Sequence, residues 1–154
     1  MNNLSTRIES ELEVKAYIQN LKYALSNGAT IQFQVQRYVD EKRDTKYTNR
    51  FTVDDIFPNE EYHDMLKREL MTLTPANYIR TVKDFRFPNK GEMREFGKYY
   101  EGYGDVYIKV RVELLGIYGN STVFVMSIHY SEIPFITTTF PYSVREGDKN
   151  ENSK

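Results

Sequence analysis

Few side chains in this chain are suited to proton chemistry. There are two histidines and no cysteine among its 154 residues. Histidine titrates near neutral pH, so it can take or give a proton during turnover. His129 lies in a run, Thr122-Val123-Phe124-Val125-Met126-Ser127-Ile128-His129-Tyr130, that reads as a β-strand. An earlier run, Val106-Tyr107-Ile108-Lys109-Val110-Arg111-Val112-Glu113-Leu114, has aliphatic residues at even positions and Tyr107, Lys109, Arg111 and Glu113 at odd ones. Residues two apart on a strand share a face. If the two runs form a hairpin, their even positions must meet on one side of the sheet, so partners pair even with even. A three-residue loop at Ile117-Tyr118-Gly119 satisfies this, with Gly where a bulged loop needs it. That register sets Val112 opposite Phe124 and Tyr107 opposite His129. A two-residue Tyr118-Gly119 turn would bury Lys109 and is rejected. Tyr107, Lys109, Ser127 and His129 then share one face.

Several chemistries are closed to the chain. Without Cys there is no disulfide, thiolate nucleophile or Cys-based zinc site. No His/Asp/Glu spacing resembles a coordination motif, so neither metal nor cofactor is expected. Gly102-Tyr103-Gly104 is too short for a phosphate loop and opens a strand rather than a helix. No G-x-S-x-G sequence occurs. Metal-free acid–base chemistry on a polar sheet face remains. RNA suits such a face because its own 2′-OH is the nucleophile. The protein must supply a base, an acid for the leaving oxygen and cations for the phosphorane. His129 can be base or acid, and Tyr107 can orient or donate. Lys109, Arg80 and Arg94 can supply positive charge. His63, beside Glu60 and Glu61, reads as a solvated helix residue.

Charge supports a polyanionic partner. Eight basic residues and five acids lie between Tyr78 and Arg111, so that window is +3 although the whole chain is −1. Eight aromatic residues interleave with them. Basic groups neutralise phosphates and rings stack bases. Arg80, Lys83, Arg94, Lys98 and Arg111 are the expected RNA contacts. A mixed solvated surface over a few core rings would have the same composition.

The elements that must position these groups read as follows. Residues 5–26 have apolar residues three and four apart, and predict a helix capped by Ser5 or Thr6 and closed by Asn27-Gly28. Residues 30–36 alternate apolar residues with Gln, as a strand with one face free for solvent or a partner. Residues 40–49 are charged and read as a mobile loop. A short turn starts at Thr52, and Asn59 caps a second helix with Tyr62, Leu66, Leu70 and Leu73 in its buried stripe, ended at Thr74-Pro75. Strands are expected at 78–82 and 94–100. The apolar stretch 133–142 is expected to wrap onto the body or meet a partner. The fold class expected is α+β, with two helices of the N-terminal half on an antiparallel sheet. The length suits one domain, here 1–142, followed by a disordered polar tail at 143–154. No apolar run approaches the roughly 20 residues of a membrane span, and the N-terminus lacks a signal-peptide pattern. A cytoplasmic protein, monomer or small homo-oligomer, away from membranes, is expected.

These residues resemble the MqsR family of toxins from bacterial toxin–antitoxin systems, relatives of the RelE-like mRNA interferases. The resemblance rests on Leu73-Thr74-Pro75-Ala76-Asn77-Tyr78-Ile79-Arg80, Arg94-Glu95-Phe96-Gly97-Lys98, Asp105-Val106-Tyr107-Ile108-Lys109 and Ser127-Ile128-His129. It covers roughly residues 12–135, with helix, Asn-Gly break, strand and second helix in the family's order. Tyr107 matches the tyrosine of the family's Val-Tyr-(Leu/Ile)-Lys strand. His129 falls where members carry Lys or His. Arg80 falls near a basic residue after the second helix, and Arg94 near a polar residue of the preceding strand. The resemblance implies a RelE/MqsR-like fold, endoribonuclease activity without metal and a cognate antitoxin protein. The charged 40–49 segment and the extension after Phe135 depart from the pattern. They leave room for a changed target, or for a non-enzymatic phage or mobile-element protein that inhibits a protein or nucleoprotein target; a housekeeping RNA-binding module is the third alternative.

Overall fold

The computed structural model describes residues 3–114 and 121–143. The expected loop at 117–119 and the tail from 144 onward lie outside the described residues. Strands β1 (Leu4–Arg7), β2 (Thr30–Phe33), β3 (Tyr78–Asp84), β4 (Met93–Tyr100), β5 (Gly104–Glu113) and β6 (Thr122–Tyr130) form one sheet in the order β1-β3-β4-β5-β6-β2. Helices α1 (Glu11–Ser26), α2 (Asn49–Ile56) and α3 (Tyr62–Leu70) share a core with one face of that sheet. The class is α+β, as expected. There are three α-helices rather than two among the described residues. The sheet is mixed, because β2 runs parallel to β6.

The core follows from the periodicities. Val14, Ile18, Leu21 and Leu25 of α1 are buried at helical spacing against Val106, Ile108 and Val110 of β5 and Val123, Val125 and Ile128 of β6. The helix begins later than expected. Ser10 is its cap: its hydroxyl accepts from Glu13 N at 3.1 Å and its own N–H donates to Glu13 Oε1 at 2.9 Å. This reciprocal box fixes the start. Residues Leu4–Arg7 pair instead with β3 as an edge strand. Leu12 is 77% exposed and stands outside the buried stripe. Gly28, with φ of +81°, supplies the left-handed residue after the helix.

The charged segment at 40–49 is built of helical turns at Tyr38–Lys42 and Thr45–Tyr47, leading into α2. Asp44 and Thr48 cap the second of these turns and α2. Short polar side chains that favour loops also cap, which is why composition pointed to a loop. Asn59 takes a positive φ of 65° and does not cap α3; Glu61 does, accepting from His63 N and Asp64 N. Among the described residues no helix is long and apolar enough to cross a membrane.

Candidate functional site

The face of the sheet away from the helices carries the odd residues of β5. In register across it, Tyr107 pairs with His129 and Lys109 with Ser127. On the other side, Lys109 pairs with Glu95 and Tyr107 with Gly97 of β4. The hairpin register is as expected through this half. Beyond Lys109 it shifts: Val110 pairs with Val125, and Val112 faces Val123 rather than Phe124. A β-bulge at Met126 accounts for the change, since one extra residue reverses which side chains face inward. Phe124 and Met126 therefore lie on the open face, and Val123 and Val125 enter the core.

A bulge leaves backbone groups off the ladder, and here α2 satisfies them. The Asn49 amide donates to Gln34 O at 2.7 Å and Met126 O at 3.1 Å, and its oxygen accepts from Ile128 N at 2.9 Å. Thr52 Oγ1 accepts from Tyr130 N at 2.9 Å. The strand end that carries His129 is thereby held by α2 beyond the last residue of β2.

Two cavities share a wall on this face. The smaller, about 410 Å³, is lined by Tyr107, Lys109, Ser127, His129, Arg80 and Arg37, with Arg43 and Glu132 at its rim. The larger, about 630 Å³, runs past Lys109 and Arg37 to Arg111, Phe124, Met126 and the edge of β2. The two linings together hold seven Lys or Arg residues and two carboxylates, those of Asp84 and Glu132, while Glu95 and Glu113 pair with Arg80 and Arg111 from beside them.

Inside the smaller cavity the rings of Tyr107 and His129 lie 5.3 Å apart. His129 Nδ1 is 2.9 Å from Tyr130 O. A carbonyl can only accept, so neutral His129 keeps its proton on Nδ1 and its lone pair on Nε2. Arg37 Nη1 donates to Ser127 Oγ at 2.9 Å, and Arg80 Nε to the buried Glu95 carboxylate at 2.7 Å. The Glu95 carboxylate also acts on the nearby Tyr107 hydroxyl.

The electrostatics follow from burial among cations. Burial, with Arg43 and Arg37 nearby, pushes His129 below its ordinary value of 6.5. Burial and the charges of Arg37 and Arg80, partly offset by Glu95, push Lys109 down as well. Burial and Glu95 raise the Tyr107 phenol. At neutral pH His129 is an available base, and Lys109 holds its proton less tightly than an exposed lysine.

The expected residues divide. Tyr107, Lys109, His129 and Arg80 meet in the smaller cavity, and Arg111 lines the larger one. Arg94 and Lys98 point the other way. Arg94 ion-pairs with buried Glu9 at 2.8 Å and lies over the Tyr17 ring at 4.3 Å. Lys98 contacts Glu69 at 3.4 Å and Thr72 at 2.5 Å. Both alternate with Glu95 and Gly97 along β4, so they face the helices and their charges are occupied. Lys83 donates to Pro88 O and Lys90 O at 3.2 and 2.5 Å, and holds the turn that follows β3. Arg37, Arg43 and Glu95 are members that sequence reasoning missed. Pairing β4 with β5 would have set Glu95 beside Lys109; nothing local marked the two arginines.

Gly97 leaves room on this face for the C-terminal segment. A Cβ there would lie 2.6 Å from the Phe135 ring and 2.9 Å from Phe140. Stretch 133–142 thus wraps onto the body. Among the described residues no group of three His, Asp or Glu could hold a metal ion. No family model, no curated protein and no solved structure matches the chain.

Proposed function

We propose that the chain is an endoribonuclease that needs no metal, of the toxin type, controlled in the cell by a cognate antitoxin. The observation that supports it best is the convergence of Tyr107, Lys109 and His129 with Arg37, Arg43 and Arg80 around one cavity. His129 Nε2 takes the proton of an RNA 2′-OH. The 2′-oxygen attacks phosphorus, and the bond from phosphorus to the 5′-oxygen breaks. Lys109 gives its proton to that leaving oxygen. Arg37 and Arg80 offset the charge gathered on the phosphorane, where fixed cations are worth most. Tyr107 packs against the imidazole and sets its plane. The toxin assignment and the RelE/MqsR-like fold rest on the resemblance of the strings that form these strands.

The test is incubation of purified protein with a defined mRNA in excess EDTA. Cleavage that persists, is lost in His129→Ala and accompanies growth arrest on expression supports the proposal. Intact RNA with no arrest contradicts it.

A second reading, a non-enzymatic inhibitor of a protein or nucleoprotein, is favoured by the internal satisfaction of the site: Arg80 is already bonded to Glu95, and Arg37 to Ser127. Tight capture of a protein target unaffected by His129→Ala would favour it.

A further inference from the structure

Beyond Lys109 and Arg37, the larger cavity is lined by side chains that the cleavage chemistry does not use. Arg111 is 8% exposed, and its guanidinium lies 4.3 Å over the Phe124 ring. Its Nη2 meets Glu113 at 3.2 Å, while its Nε is buried with no hydrogen-bond partner. A buried unpaired donor on a cation is costly unless something supplies the acceptor. Around this stack lie Met93 and Met126, and at the β2 edge the exposed amides of Gln32 and Gln34. Gln32 pairs in register with Phe124, and Gln34 Nε2 reaches only the Met126 sulfur, at 3.7 Å. The cavity therefore combines a flat stacked platform, cations and uncommitted amides. Lys109 and Arg111 are two residues apart on one strand, so they offer positive charge at a step of roughly 6.6 Å.

We propose that the larger cavity binds the nucleotide next to the scissile phosphate, its base stacked on the Arg111–Phe124 pair and read by Gln32 and Gln34, its phosphate held by Arg111, one step along the strand from Lys109. This rests on the ribonuclease reading and deepens it. Single-stranded bases are bound by stacking on rings or guanidinium planes and by hydrogen bonds to their edges. A glutamine amide donates and accepts side by side, matching the N6 and N7 groups of adenine. The shared wall at Lys109 and Arg37 makes the two cavities consecutive along one strand of RNA.

The test uses 2′-O-methyl tetranucleotides, which cannot be cleaved, with the base varied at each position and binding followed by fluorescence anisotropy at fixed salt. The expected result is a preference for adenine of about tenfold at one position. Gln34→Ala should erase most of that preference, and Arg111→Gln should weaken all sequences alike. Gln34 is exposed, so its variant does not risk the fold. Equal binding of all bases, or a preference untouched by Gln34→Ala and Gln32→Ala together, overturns the proposal. Selective binding without cleavage of the 2′-hydroxyl counterparts leaves the subsite standing and rejects the ribonuclease reading. Cleavage with no base preference does the reverse.

Discussion

Replacing Asn49 with alanine should be among the most damaging single polar truncations in this chain. Its side chain makes three hydrogen bonds, at 2.7, 2.9 and 3.1 Å, to the backbone of β6 and of Gln34 just after β2. The residue is 1% exposed. Each bond contributes about 1 kcal/mol net, and each buried partner left unsatisfied costs about 1–3 kcal/mol. The two carbonyls retain a second lone pair, so the full penalty falls chiefly on the Ile128 N–H. The expected loss is about 3 kcal/mol, a large fraction of a typical stability of roughly 5–15 kcal/mol. It corresponds to a melting temperature lowered by about 6–12 °C for a chain of this size. Thr52→Val, which leaves the Tyr130 N–H without its acceptor, should cost about half as much. Urea unfolding followed by circular dichroism gives both values. A loss below about 0.5 kcal/mol for Asn49→Ala, the range of ordinary surface changes, would refute the claim that α2 completes the bulged strand.

Three further outcomes follow from other contacts. Gly97→Ala should cost about 1–3 kcal/mol by driving its Cβ into the Phe135 and Phe140 rings, and proteolysis after residue 130 should speed up as the C-terminal wrap loosens. Glu9→Gln should cost about 3 kcal/mol in thermal unfolding, because Glu9, 5% exposed, is the partner of the half-buried Arg94. Acid should weaken the fold in two stages. The folded value of His129 lies below 6.5, so the stability tied to its neutral form is complete above 6.5 and is lost as pH falls through the lowered value. Burial raises the Glu9 carboxyl, but hydrogen bonds from Arg94 and Thr81 outweigh it. Its folded value lies below 4.5, so its stage begins only below that pH. His129→Asn should remove the upper stage alone in a pH series of urea midpoints.

The β5–β6 pair was legible because strict alternation leaves one sensible register, and that register puts Tyr107 opposite His129. The bulge was not. Period two says that sides alternate but not where an extra residue is inserted, and Phe124 and Met126 look as fit for the core as Val123 and Val125 do. The branched valines went in. The helix starts later than residue 5 because Leu4, Ile8 and Leu12 stand at helical spacing without being helical throughout, and only the Ser10–Glu13 box shows where the helix starts. Basic residues on β4 were counted by composition. Their side of the sheet depends on the β4–β5 register, which turns Arg94 and Lys98 toward Glu9 and Glu69. Arg37 reaches the site from outside the ordered strand, through a bond to Ser127 that no local pattern announces.

In the proposed reaction His129 and its neighbours activate an RNA 2′-hydroxyl. The most direct test is analysis of the ends formed when a short RNA is incubated with the protein in EDTA, alongside the same RNA carrying a single 2′-deoxy nucleotide at the cut. Attack by the 2′-oxygen leaves a 2′,3′-cyclic phosphate on the upstream fragment, and no cut is expected at the deoxy position. Cleavage that survives the deoxy substitution, or a 3′-hydroxyl end, would contradict it.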